Sequence, residues 1–171
     1  SLFQDNKPVG RIFTDTIVFH KAVGHKVNYV TPYNDSYKGD GALGMVNTIR
    51  GSKNFHDGQW QAWLVKDMEI VIDLEIEQSI EKVTVGTLES QGAGIYFPIQ
   101  VTVLVSKDGT NYKEARKILR PFAVNVNSEL KDFKINFEKQ EVRFVKVIAT
   151  NLKKSPTGSS SWLFVDEIVV D

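Results

Sequence analysis

The chain has 171 residues, 21 basic and 21 acidic, with three histidines and no cysteine. At roughly 100–200 residues per domain, that length suits one domain that can bury a core without covalent staples. The lack of cysteine excludes disulfides, thiolate metal sites and cysteine nucleophiles, and the balanced charge speaks against nucleic acid or acidic lipid as the main partner.

No segment reaches the roughly 20 apolar residues of a membrane span, so no membrane insertion is expected. The start Ser1-Leu2-Phe3-Gln4-Asp5-Asn6-Lys7 lacks the basic and apolar regions of a signal peptide. With no initiator methionine, the chain reads as a piece of a longer protein.

In chain order, residues 1–16 read as a linker or edge segment before a domain over 17–171. Residues 26–31 (KVNYVT) predict a strand ended by Pro32, and 32–65 predict extended loops with one helical turn near 43–47. Then a period of two takes over. Met68, Ile70, Ile72 and Leu74 alternate with Glu69, Val71 and Asp73, and Val83, Val85 and Thr87 give a further short strand. Ile99, Val101, Val103 and Val105 repeat the pattern and end in Ser106-Lys107-Asp108-Gly109-Thr110-Asn111, a turn whose Asp-Gly supplies a positive φ. Phe133, Ile135 and Phe137 alternate, residues 142–149 (VRFVKVIA) are apolar on both faces, and 163–170 (LFVDEIVV) close the set. About eight strands with turns between them predict an all-β sandwich.

Chemistry of the catalytic kind finds little support. The spacings HExxH and GxSxG and the phosphate-binding loop are missing, and Gly39-Asp40-Gly41-Ala42-Leu43-Gly44, which has the GxGxxG spacing, has no strand–helix unit around it, so no enzyme activity is expected of this chain. One loop is unusual: Arg50-Gly51-Ser52-Lys53-Asn54-Phe55-His56-Asp57-Gly58-Gln59-Trp60-Gln61-Ala62-Trp63 gathers aromatic rings among hydrogen-bonding side chains. Sugar C–H faces stack on such rings while Arg, His, Asn and Gln bond hydroxyls. The competing reading is that the tryptophans plug the end of the sandwich, with Trp63, next to a strand, the stronger candidate for plugging. Glu89 to Pro98, holding Tyr96 and Phe97, and Tyr33 to Lys38 are two further aromatic and polar loops.

Taken together, 20–26 (HKAVGHK), 42–63 (ALGMVNTIRGSKNFHDGQWQAW), 68–74 (MEIVIDL), 97–112 (FPIQVTVLVSKDGTNY), 142–151 (VRFVKVIATN) and 161–169 (SWLFVDEIV) resemble the discoidin, or coagulation factor 5/8 type C, domain. The version they are most similar to is the galactose-binding-like carbohydrate-binding module appended to bacterial chitobiase and β-N-acetylhexosaminidase-type glycoside hydrolases. The resemblance implies an eight-stranded jelly-roll sandwich, glycan termini held by loops at one end, a structural Ca2+, and a periplasmic or extracellular location. It also implies a catalytic domain on the amino-terminal side of the parent chain. Its metal positions map onto Asn47, where many relatives have Asp, and onto Glu167, with Ser52, Asn54 and Asp57 completing an oxygen cage. For the sugar, Arg50 and His56 are expected as hydroxyl partners, with Trp60 and Tyr96 as stacking platforms. Two other readings are a structural domain packed on its catalytic neighbour without sugar affinity, and lipid or protein recognition as in animal discoidin domains. The mixed charges of Arg50, Lys38 and Lys53 with Asp35, Asp40 and Asp57 speak against the last.

Overall fold

The computed structural model describes residues 2–4, 7–9 and 19–171. Within the segment expected as a linker or edge, β1 (Leu2–Gln4) and β2 (Lys7–Val9) pair antiparallel. The rest of that segment, and the expected domain start at residue 17, lie outside the described residues.

The domain is built from β3 (Lys26–Tyr29), β4 (Gln61–Leu64), β5 (Met68–Glu89), β6 (Gln100–Ser106), β7 (Lys113–Leu119), β8 (Glu129–Thr150) and β9 (Trp162–Val170). Helical structure among the described residues is confined to two 3-10 turns, Gly41–Leu43 and Gln91–Ala93. The strands hydrogen-bond in the order β4-β9-β5-β8-β6-β7, with β3 on β5. Every pairing is antiparallel.

The sheet folds into a sandwich because β5 and β8 each pass through both layers. The first part of β5, Met68 to Asp73, lies between β3 and the Phe144–Ala149 part of β8, and β6 and β7 extend that layer. The last part of β5, Lys82 to Glu89, lies between the start of β8 and β9, and β4 extends the second layer. Register shifts between Asp73 and Gln78 and between Ile80 and Lys82 mark the bend. Irregularities of this kind are how a strand turns a corner. At the bend Glu75 takes φ 67 and its N–H donates to Asp73 Oδ1 at 2.8 Å.

Both layers turn one row of side chains into a shared core. Ile70, Ile72, Val101, Val103, Val145 and Val147 enter it from one side, and Val83, Val85, Ile135, Leu163, Val165 and Ile168 from the other. Each is 0% exposed, and full burial of such a side chain stabilises by roughly 1.5–3 kcal/mol. The expected fold class is therefore present, with two corrections. The short strands foreseen at 83–87 and 133–137 are continuous with their neighbours, because β5 and β8 run on through the polar bends. Residues 61–64 form β4, although the expectation there was loop.

The outer face of the second layer positions the site. Ala62, Leu88 and Phe164 point away from the main core, and with Trp60 and Ile95 they form a second, smaller core. An apolar outer face needs a cover. The cover is the loop that precedes β4.

Candidate functional site

The cover is held shut from below. Trp60 lies over the outer face at 1% exposure, and its indole N–H donates to the Ser52 carbonyl at 3.1 Å. Gly51 permits this, since a Cβ there would overlap the Trp60 indole. Above the indole the loop ties itself together. Asp57 accepts the N–H of Ser52 at 2.6 Å and of Gln59 at 3.0 Å, Asn54 Oδ1 accepts the His56 N–H at 3.2 Å, and Ser52 Oγ accepts the Asn54 N–H at 3.2 Å. Short polar side chains capping their own backbone in this way are the physical basis of tight turns.

The strand that follows anchors a second loop beside the first. Gln61 is fully buried. Its amide donates to the carbonyls of Lys38 at 2.9 Å and Gly41 at 2.7 Å, while its Oε1 accepts from the Tyr29 hydroxyl at 2.8 Å. Burial pushes the Tyr29 phenol up from its ordinary pKa. This bonding fixes the loop around Tyr37, whose ring sits edge-on to Phe164 at 4.6 Å and to Trp162 at 5.4 Å.

Between the two loops lies an open hollow lined by Asp35, Ser36, Tyr37, Lys38, Phe55 and His56, with Trp60 at its floor. His56 is exposed and stacks on Tyr37 at 5.9 Å and 29°, with Phe55 4.2 Å from it. Aromatic faces and side chains able to donate and accept hydrogen bonds therefore share one wall.

Arg50 stands elsewhere. On the outer face beside the second core its Nε donates to Asp166 Oδ2 at 2.9 Å and its Nη2 to Asp132 Oδ1 at 2.6 Å. The Gly51 N–H reaches the same Asp166 oxygen at 2.8 Å. Gly86 makes room, because a Cβ there would overlap both the Asp166 carboxylate and the Arg50 guanidinium. Asp166 is 1% exposed, and among the described residues its Oδ1 is the one buried side-chain polar atom without a partner. Burial holds its carboxyl above the usual carboxylate range, against the lowering effect of Arg50.

Of the four residues expected to touch sugar, the structure thus places His56 at the hollow, Arg50 in an ion-pair cluster and Trp60 beneath the hollow. Tyr96 is 7% exposed and packs near Phe122 at 6.1 Å. Neither Trp60 nor Tyr96 presents a free ring face, which corrects their assignment as stacking platforms. The rings that line the hollow are those of Tyr37, Phe55 and His56. Their loops carried the signal, but nothing local distinguished these rings from the buried ones.

The five expected calcium donors do not form one cage. Ser52, Asn54 and Asp57 cap their own turn, as above. Asn47 Oδ1 accepts the Ile49 N–H at 2.9 Å, and Glu167 accepts from His20 Nε2 at 2.9 Å and from the Thr48 N–H at 3.2 Å. Among the described residues, no three His, Asp or Glu side chains converge as a metal site. The expected donors are thus engaged by the chain's own N–H groups.

Comparison with known proteins agrees with this architecture. The model of the F5/8 type C domain family matches residues 28–168, and the chain belongs to that family. Its fold is that of carbohydrate-binding modules. The module CpGH89CBM32-6 produced by Clostridium perfringens superposes with a TM-score of 0.56 at 14% identity, over 90% of this chain and 98% of that one. Chitosan-binding module 1 of a chitosanase/glucanase from Paenibacillus sp. IK-5 gives 0.55 at 16% identity, over 90% and 99%. CpGH89CBM32-5 of Clostridium perfringens, solved in complex with GalNAc-β-1,3-galactose, gives 0.54 at 19% identity, over 85% and 93%. No curated protein matches the chain.

Proposed function

We propose that this chain is a non-catalytic carbohydrate-binding module that keeps a larger secreted, chitobiase- or hexosaminidase-like glycoside hydrolase near glycan termini such as galactose or N-acetylhexosamine. The observation that carries the reading is the hollow. The exposed His56 ring stacks on Tyr37 beside Phe55, and Asp35, Ser36 and Lys38 surround them. A sugar ring laid against that wall meets apolar faces on one side and hydrogen-bonding groups on the other. Family membership and the ligands named for the similar modules support the same class of partner. Binding at one shallow hollow is weak by itself and gains from tethering to the hydrolase or from multivalent glycan. A periplasmic, extracellular or cell-surface location belongs to this reading; no helix among the described residues is long and apolar enough to cross a membrane.

The alternative, a structural domain packed on the catalytic domain without sugar affinity, has one observation in its favour: the burial of Trp60 and Tyr96 removes two expected stacking rings. A glycan array with the isolated chain separates the two. The proposal expects retention of glycans ending in galactose or N-acetylhexosamine, and loss of signal with His56→Ala. A folded wild-type protein that retains no glycan supports the alternative.

A further inference from the structure

Glu167 is the residue that the F5/8 resemblance assigned to calcium, yet its carboxylate is enclosed by this chain's own donors. His20 and Glu167 have side chains 1% exposed, with His20 Nε2 2.9 Å from Glu167 Oε1. The tautomer is set from the other side of the ring. His20 Nδ1 faces the backbone N–H groups of Ala22 and Val170, each at 3.3 Å, so it accepts and the proton resides on Nε2, directed at the carboxylate. The second oxygen, Oε2, accepts the Thr48 N–H at 3.2 Å, and Thr48 adopts φ 68 to present it. A β-branched residue rarely occupies that region.

Three distant segments meet here. The Lys21 N–H donates to the Val170 carbonyl at 2.9 Å, the Gly24 N–H to Val46 at 2.9 Å, and the Ile168 N–H to Met45 at 2.8 Å. The carboxylate sits where residues 20–24, 45–48 and 166–170 are sewn together. A hard divalent cation would need some six to eight oxygens around it. In the loop, Asp40 accepts from the Asn47 amide at 3.4 Å, and Ser52, Asn54 and Asp57 are committed to their own turn.

We propose that Glu167 is the centre of a protein-only clasp, His20–Glu167–Thr48, which takes the place of a structural cation, so that the domain folds and melts independently of calcium. The proposal stands apart from glycan binding and fails separately from it.

The test is differential scanning calorimetry of the full chain in EGTA and in excess calcium chloride, for the wild type, His20→Ala and His20→Gln. The clasp predicts a wild-type melting temperature equal in the two buffers to within about 1 °C, because a ligand that does not bind the native state cannot stabilise it. It predicts that His20→Ala, which strands one carboxylate oxygen, melts about 5–10 °C lower, by the same amount in both buffers. His20→Gln, whose amide still donates, regains part of the loss. A wild-type melting temperature that rises with calcium overturns the proposal. So does a His20→Ala protein that melts with the wild type. If His20→Ala fails to fold, the wild-type comparison and His20→Gln still decide.

Discussion

Two regions carry the polar residues of the same covering loop, and they differ in what those residues have left to offer. At the Arg50 cluster, the guanidinium bonds Asp166 and Asp132 and the carboxylate also holds the Gly51 N–H. At the hollow, His56 projects an exposed ring whose hydrogen-bonding atoms are not used to hold the loop, since its backbone N–H alone bonds Asn54. The first region is bonded inward and gives stability. The second is bonded only through its backbone and is free to meet a ligand. Arg and His on a binding loop look alike as residue types, and the difference lies in the partners the fold brings to each.

Breaking the inward region should have the largest effect on stability. Arg50→Ala leaves the buried Asp166 with one remaining N–H donor, and because the guanidinium itself is partly exposed the cost is that of an under-bonded buried carboxyl, about 2–3 kcal/mol. Urea unfolding should show this as a lowered midpoint, while the protein that stays folded keeps its glycan binding. Loss of sugar affinity in folded Arg50→Ala would dissolve the distinction between the regions. Gly86→Ala attacks the same cluster by steric overlap with Asp166 and Arg50. Forcing a methyl into a packed site costs about 1–3 kcal/mol, which thermal melts would detect.

At the hollow the balance reverses. His56→Ala should change stability by no more than about 0.5 kcal/mol, as for other exposed side chains. Its glycan affinity should fall about tenfold, the equivalent of one lost hydrogen bond in isothermal titration.

The smallest effect expected is a contrast in pH dependence. Asp73 is held below the usual carboxylate range by its bidentate bond to Arg143, at 2.7 and 2.9 Å. A carboxyl lowered on folding adds stability above its unfolded value, near 4, and loses it as pH falls. Asp166, raised by burial, has the opposite sign: its folded form takes up a proton more readily, so acidification favours the folded state at this group. Asp73→Asn should therefore flatten the acid limb of a stability profile below about pH 5, and Asp166→Asn should not.

Much of the sandwich was legible in the sequence because burial imposes a period of two. Ile70 and Ile72, and Val101 and Val103, sit where alternation placed them. The bends of β5 and β8 were not legible, since Glu75 to Ser79 and Glu138 to Glu141 have the composition of loops. Nor was β4, whose buried Gln61 is polar and is satisfied by Lys38, Gly41 and Tyr29, 20 to 32 residues away. For the site, the loop around His56 and the loop around Tyr37 could be singled out, but their meeting could not. The capture of Arg50 by Asp166, 116 residues along the chain, left no local trace. Trp60 shows the same limit: expected as a stacking platform, it is buried together with its neighbour Gln61.

The central claim is that sugar meets this domain at the hollow rather than at the Arg50 cluster. Amide chemical-shift mapping with the best-retained array glycan tests it most directly. The account predicts shifts concentrated at Ser36, Tyr37, Phe55 and His56, with Thr84, Gly86 and Asp132 unmoved. Shifts centred on the Arg50 cluster, or a spectrum that no glycan perturbs, would contradict it.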